Sequence, residues 1–198
     1  MRTILNLAGG KIRPLMAEEG DLIINVDTCY FTEDPIEHVE KTHRFTNKTG
    51  ALPVGSKGEY FVNDDMFDFL SRYNVTFDVI SLYRILEHIH RDQVLYFIYL
   101  LSTCVKKDGL LDIIVPDYKM LAQMLIAEDV YDIEFWTDNI LLTTEMLNEP
   151  DDPHKSIWTA DRLKMFLAME QRFKVMTIAE KFDFDGRDIY LNCIAQRI

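Results

Sequence analysis

The sequence predicts a doubly wound α/β domain, with a mostly parallel sheet of seven strands closed at its C-terminal end by an antiparallel hairpin. Three observations predict it. Short β-rich apolar runs alternate with longer stretches of helical periodicity, the order that builds parallel strands joined by helices. The last two β-rich runs are separated by Asp183-Phe184-Asp185-Gly186-Arg187-Asp188, whose Asp-Gly step signals a turn. The 198 residues, 48% of them hydrophobic, suffice for one domain (1–198) with a sizeable core but not for two.

The β-rich runs place strands over residues 3–7, 22–26, 60–62, 77–82 and 110–115. Between the fourth and fifth, residues 93–105 carry Val94, Leu95, Phe97, Ile98, Leu101 and Val105 at a spacing that suits a helix covering the sheet. Lys106-Lys107-Asp108-Gly109 is expected to end that helix, with cations at its C-terminus and Gly to turn the chain. Helices follow over 118–127, 133–147 and 160–169, the last with Thr159 placed to cap it. Strands over 173–179 and 190–196 form the closing hairpin.

Composition narrows the function. With 33 acidic against 21 basic side chains the formal charge is −12, which repels polyphosphate and disfavours nucleic acid as the main partner. No apolar run approaches the roughly 20 residues needed to cross a bilayer, so no membrane span is expected. The N-terminal residues lack the apolar stretch of a secretory signal, and a cytoplasmic location is expected. Cys29, Cys104 and Cys193 are too scattered for a disulfide framework and read as buried reduced thiols. His38, His43 and His90 show no metal-ligand spacing, so no metal site is expected. Residues 41–58 contain Lys41, His43, Arg44, Lys48 and Lys57 without one acid, interrupted by Gly50, Pro53, Gly55 and Gly58. This reads as an irregular cationic loop, either a solvated surface or a substrate contact. Residues 128–153 reverse the sign, with nine acids and no Lys or Arg.

The first strand runs into Leu5-Asn6-Leu7-Ala8-Gly9-Gly10, small residues that let a ligand approach the backbone where a doubly wound sheet opens its cleft. The second ends in Asn25-Val26-Asp27, which puts an acid at a strand end where it can accept bonds from ribose hydroxyls. Val62-Asn63-Asp64-Asp65, Phe77-Asp78-Val79-Ile80 with Leu86-Glu87-His88-Ile89, and Lys107-Asp108-Gly109 with Val115-Pro116-Asp117 follow in order, then His154 and Trp158-Thr159-Ala160-Asp161-Arg162-Leu163. In number, order and spacing these residues resemble the class I S-adenosylmethionine-dependent methyltransferases, in particular small members opening Leu-Asn-Leu-Gly-x-Gly and followed by Asn-Val-Asp. The resemblance covers nearly the whole chain and implies a Rossmann-like fold with S-adenosylmethionine as cofactor.

Carried over residue by residue, the resemblance implies that Ala8, Gly9 and Gly10 border the methionine end of the cofactor and that Asp27 binds its ribose. It puts Asp64 or Asp65 at the adenine amino group, while Tyr83 and Arg84 line the cleft beyond the fourth strand. Asp64 and Asp65 read equally well as a helix N-cap ahead of Met66-Phe67-Asp68-Phe69-Leu70. The chain departs from the pattern at Ala8, which replaces the family's first glycine, adds a methyl group there and disfavours positive φ. It also begins directly on the first strand, where this class often carries a covering helix; the 41–58 loop or a partner chain is expected to close that edge.

Methyl transfer from a sulfonium is an in-line displacement that depends mainly on positioning and desolvation. An oxygen acceptor also calls for a general base, for which His154, His88 and Asp117 are the candidates by residue type, with His154 preferred; Glu87 and His88 read either as lining the site or as a structural pair. The expected acceptor is a small molecule or glycan, and the basic loop suits an anionic one. The alternatives are a methyltransferase-fold binding or assembly protein without catalysis, as a homo-oligomer or on a partner, and a nucleotide or dinucleotide enzyme on a related sheet.

Overall fold

The computed structural model describes residues 1–8, 13–27, 44–45, 58–62, 64–126, 154–182 and 189–198. Its sheet has eight strands in the order β3-β4-β2-β1-β5-β6-β8-β7. They are β1 (Thr3–Leu7), β2 (Leu22–Val26), β3 (Arg44–Phe45), β4 (Gly58–Val62), β5 (Phe77–Tyr83), β6 (Val105–Pro116), β7 (Phe173–Phe182) and β8 (Ile189–Arg197). The β1–β2, β1–β5, β2–β4, β3–β4 and β5–β6 pairs are parallel, whereas β6–β8 and β7–β8 are antiparallel. The seven expected strands are all present. The addition is the two-residue edge strand β3, inside the stretch read as an irregular loop.

The described helices are α1 (Met66–Arg72), α2 (Val94–Cys104), α3 (Tyr118–Ile126) and α4 (Ala160–Glu170), with a 3-10 turn over Leu86–His88. Thr159 caps α4 as expected, its side chain accepting from the Arg162 N–H. The helix expected over 133–147, the turn at 183–188, Cys29 and the acidic stretch lie outside the described residues. So does most of the basic one. Cys104 and Cys193 are buried free thiols, and burial pushes the Cys193 thiol up to about 12. Among the described residues no helix is long and apolar enough to cross a membrane.

Every residue of β1 and β2 is buried, because helices and connecting segments cover both faces of a parallel sheet. One face carries Leu5, Leu7, Leu22, Ile24, Val26, Ile80 and Leu82 into the main core with Phe69, Phe97, Leu101, Trp158 and Leu163. The other carries Ile4, Ile23 and Val79 against Met16 and Ala17. Further along this second face a polar row crosses the strands, with Asn25, Asn6, Ser81 and Asp112 all 3% exposed or less. It is hydrogen-bonded: Asn6 Nδ2 donates to Asn25 Oδ1 at 2.7 Å, and Asn192 Nδ2 to Asp112 Oδ1 at 2.8 Å. Burial pushes the Asp112 carboxyl upward against the opposing effect of Asn192.

The structure corrects one local expectation. Lys106 to Gly109 do not close the helix, which ends at Cys104; they open β6, whose register against β5 shifts between Phe77 and Val79. The positive φ falls on Asp108 (63°) rather than on Gly109. Gly109 is needed for another reason: a Cβ there would lie 2.9 Å from the Lys106 carbonyl oxygen and 3.0 Å from that of Asp78.

Candidate functional site

The sheet order reverses at β1, with β2 and β4 on one side and β5 and β6 on the other. Ligands of open α/β sheets bind outside the carboxyl ends of the strands at such a switch point. The parallel registers pair Leu7 with Val26 and with Leu82, and Val26 with Val62. The next residues of three strands, Ala8, Asp27 and Tyr83, therefore stand side by side at one level of this edge.

The backbone ties the row together. The Ala8 N–H donates to the Val26 carbonyl at 2.8 Å, that of Asp27 to Val62 at 3.1 Å, and that of Arg84 to Ile114 at 2.8 Å. Asp27 is buried, at 7% exposure. Ala8 (φ 48°) and Arg84 (φ 54°) both adopt the left-handed conformation, which costs an L-residue roughly 1–2 kcal/mol. Thus Ala8 adopts a backbone shape that ordinarily favours glycine. The Arg84 guanidinium carbon lies 5.6 Å from the centre of the Tyr83 ring. Gly9 and Gly10 lie outside the described residues.

Beyond β4, the Asp64–Asp65 pair divides its work. Asp65 is the N-cap of α1, accepting from the backbone of Phe67 and Asp68. Asp64 is buried and ion-paired with Arg72 at 2.9 Å; burial, opposed by Arg72, raises its carboxyl above the ordinary range. Asp117, a candidate base, caps α3 instead, its Oδ1 accepting from Lys119 and Met120 N–H.

On the β5–β6 side of the same edge, the 3-10 turn, the start of α3 and residues 154–158 bring together side chains far apart in sequence. Lys155 and Ser156 N–H both donate to the Glu87 carbonyl, at 2.6 and 3.0 Å. Ser156 Oγ donates to the Leu86 carbonyl at 2.8 Å and accepts from Trp158 Nε1 at 3.0 Å. This latch holds His154 against His88, ring centres 4.8 Å apart and nearly perpendicular. Tyr118 Oη is 2.6 Å from His154 Nδ1. Burial, and then the nearby Glu87 carboxylate, push the Tyr118 hydroxyl well above its ordinary pKa, so it stays protonated at neutral pH. Glu87 is fully buried.

The structure therefore brings the two expected histidines into one cluster with Glu87 and adds Tyr118 to it. An imidazole fixed through Nδ1 keeps Nε2 for proton transfer or metal binding. Tyr118 was legible only as the first helical residue after a strand end, a position that faces the cleft in this architecture.

No protein-family model matches the chain, and no curated protein matches it in sequence. Solved structures do match. An S-adenosylmethionine-dependent methyltransferase from Methanosarcina mazei superposes with a TM-score of 0.60 at 15% identity, covering 100% of this chain and 92% of that one. The 1,6-didemethyltoxoflavin-N1-methyltransferase of Burkholderia thailandensis, solved with its substrate and S-adenosylhomocysteine, gives 0.61 at 14% identity, over 99% and 71%. The magnesium protoporphyrin IX methyltransferase of Synechocystis, also with the demethylated cofactor, gives 0.59 at 9%, over 100% and 74%. The fold is thus that of methyltransferases of known structure.

Proposed function

We propose that the chain is a cytoplasmic S-adenosylmethionine-dependent methyltransferase acting on a small-molecule or glycan acceptor. The observation that carries this reading is the row of Ala8, Asp27 and Tyr83 at the switch point of a sheet shared with methyltransferases of known structure. The residues fit the cofactor: an acid at the end of β2 matches a ribose diol, and the left-handed turn at Ala8 matches a strand end bent to admit a ligand. Asp27 would hold the ribose, Ala8 with Gly9 and Gly10 the methionine end, Asp64 or Asp65 the adenine side, and Tyr83 and Arg84 the cleft wall. Bound there, the cofactor supplies a methyl group on a sulfonium for in-line displacement.

The chain's own residues orient the acceptor and move its proton. His154, anchored by Tyr118, takes the proton on Nε2. His88 packs edge-on and fixes the ring. Lys41, Arg44, Lys48 and Lys57 suit an anionic acceptor such as a phosphorylated or nucleotide-linked sugar.

The test is transfer of labelled methyl from S-adenosylmethionine to a panel of phosphorylated and nucleotide-linked sugars. Turnover that falls about 100-fold or more in His154→Ala supports the reading. Unchanged acceptor KM in Arg44→Ala and Lys48→Ala removes the anionic detail. One observation favours a second reading, a non-catalytic binding or assembly protein: the methyl group of Ala8 where the family has glycine. Cofactor turnover rules that reading out.

A further inference from the structure

The spacing of histidines in the sequence predicts no metal site, because His154 lies far along the chain from the adjacent Glu87 and His88. In the folded protein Glu87, His88 and His154 each offer a ligand atom, and these atoms all lie within 4.8 Å of one another. We propose that these three residues bind one divalent first-row transition-metal ion, of which zinc is the chemical type.

Two imidazoles and one carboxylate are a donor set for zinc and its neighbours. With metal–ligand bonds of about 2.0–2.2 Å, tetrahedral ligands stand about 3.4 Å apart, so side-chain rotations of roughly an ångström close the site. The framework to hold it is built. Glu87 is at 0% exposure, and its backbone carbonyl takes two N–H groups from the irregular segment that carries His154. Ligand histidines commonly donate their second ring N–H to a neighbouring oxygen, which fixes the tautomer. Tyr118 Oη, 2.6 Å from His154 Nδ1, is placed for that role and directs Nε2 to the ion. A buried carboxylate beside two imidazoles also places the ion's charge where the dielectric is low and the attraction strong. Three protein ligands leave a position open for water or an acceptor oxygen, as in catalytic rather than structural zinc sites.

The site stands on this geometry. Its place beside the acceptor rests on the methyltransferase reading, and with the ion bound, His154 serves as a ligand instead of the proton acceptor and His88 as a ligand instead of a packing partner. Calorimetric titration of the chelator-treated full chain with Zn²⁺, and absorption titration with Co²⁺, test it without cofactor present. The expected result is one ion per chain with a cobalt ligand-field band, weakened at least tenfold in His88→Ala and in His154→Ala. Tyr118→Phe is expected to weaken it about 10-fold or more. Absence of stoichiometric binding, or affinity undiminished from the natural protein's in either histidine variant, overturns the proposal. Should the variants fail to fold, X-ray absorption of the zinc-loaded natural protein decides. A nitrogen and oxygen shell at about 2.0–2.1 Å with imidazole scattering supports the site, and sulfur at about 2.3 Å overturns it by assigning the ion to cysteine. Zinc binding without S-adenosylmethionine binding would defeat the methyltransferase reading and leave the metal site standing.

Discussion

Replacing Ser156 by Ala removes the side-chain half of the latch that holds His154 beside His88 and leaves the backbone bonds of residues 155 and 156 to Glu87 in place. Ser156 is 6% exposed and Trp158 fully buried, so water cannot readily replace the lost hydroxyl. The Leu86 carbonyl keeps the Ile89 N–H at 3.3 Å. The Trp158 indole N–H loses its acceptor. An unsatisfied buried donor costs about 1–3 kcal/mol and a lost hydrogen bond about 1 kcal/mol, so the variant should lose about 2–4 kcal/mol. For a chain of this size that lowers Tm by roughly 5–15 °C. Urea unfolding of Ser156→Ala, Trp158→Phe and the double variant forms a cycle. Because Phe has no N–H to strand, Ser156→Ala should cost about 1–2 kcal/mol less in the Phe background. A single-variant loss below about 0.5 kcal/mol, or strict additivity, would refute the latch. Methyl transfer should fall in Ser156→Ala while cofactor affinity holds.

Three further outcomes follow from particular contacts. Gly109→Ala presses a Cβ to 2.8 Å from Val105 Cγ2 and into two backbone oxygens, so urea unfolding should show a loss of about 1–3 kcal/mol; an unchanged midpoint would contradict that packing. Asp21 accepts from the backbone and guanidinium of Arg2, which hold its carboxyl at about 2 against an ordinary 3.8. A depressed carboxyl stabilises the fold above its unfolded pKa and loses that contribution as pH falls through its folded one. The Tm gap between the natural protein and Asp21→Asn should hold steady from pH 7 to 5 and narrow between pH 4 and 2; a gap that stays constant to pH 2 would refute the assignment. Ala8→Gly relieves the left-handed strain at φ 48° but frees the unfolded chain, for a net gain of up to about 1 kcal/mol in thermal unfolding; a loss above about 1 kcal/mol would contradict the backbone account.

Strands were legible wherever local composition decides the outcome. β1 and β2 are continuous β-rich runs and occur at the expected bounds, and Thr159 announced the start of α4. Residues 106–109 misled because Lys-Lys-Asp-Gly matches a helix end in composition, while the pairing of Val105 with Phe77 draws the chain into the sheet at once. β3 was invisible, since two residues among glycines and lysines pair only because β4 offers an edge. Of the site, the carboxyl ends of β1, β2 and β5 could be read because strand ends follow from strand placement. The division between Asp64 and Asp65 could not, because it depends on Arg72 turning back to Asp64. The meeting of Glu87, His88, Tyr118 and His154 was also out of reach, being set by hydrogen bonds from residues 155 and 156 to the 3-10 turn.

The most direct test of the central claim is calorimetric titration of the full chain with S-adenosylmethionine and S-adenosylhomocysteine, alongside Asp27→Ala. The account predicts micromolar binding to the natural protein and a loss of about tenfold or more in the variant, as befits a carboxylate hydrogen-bonded to a diol. Absence of binding by the folded natural protein, or equal binding by Asp27→Ala, would contradict it.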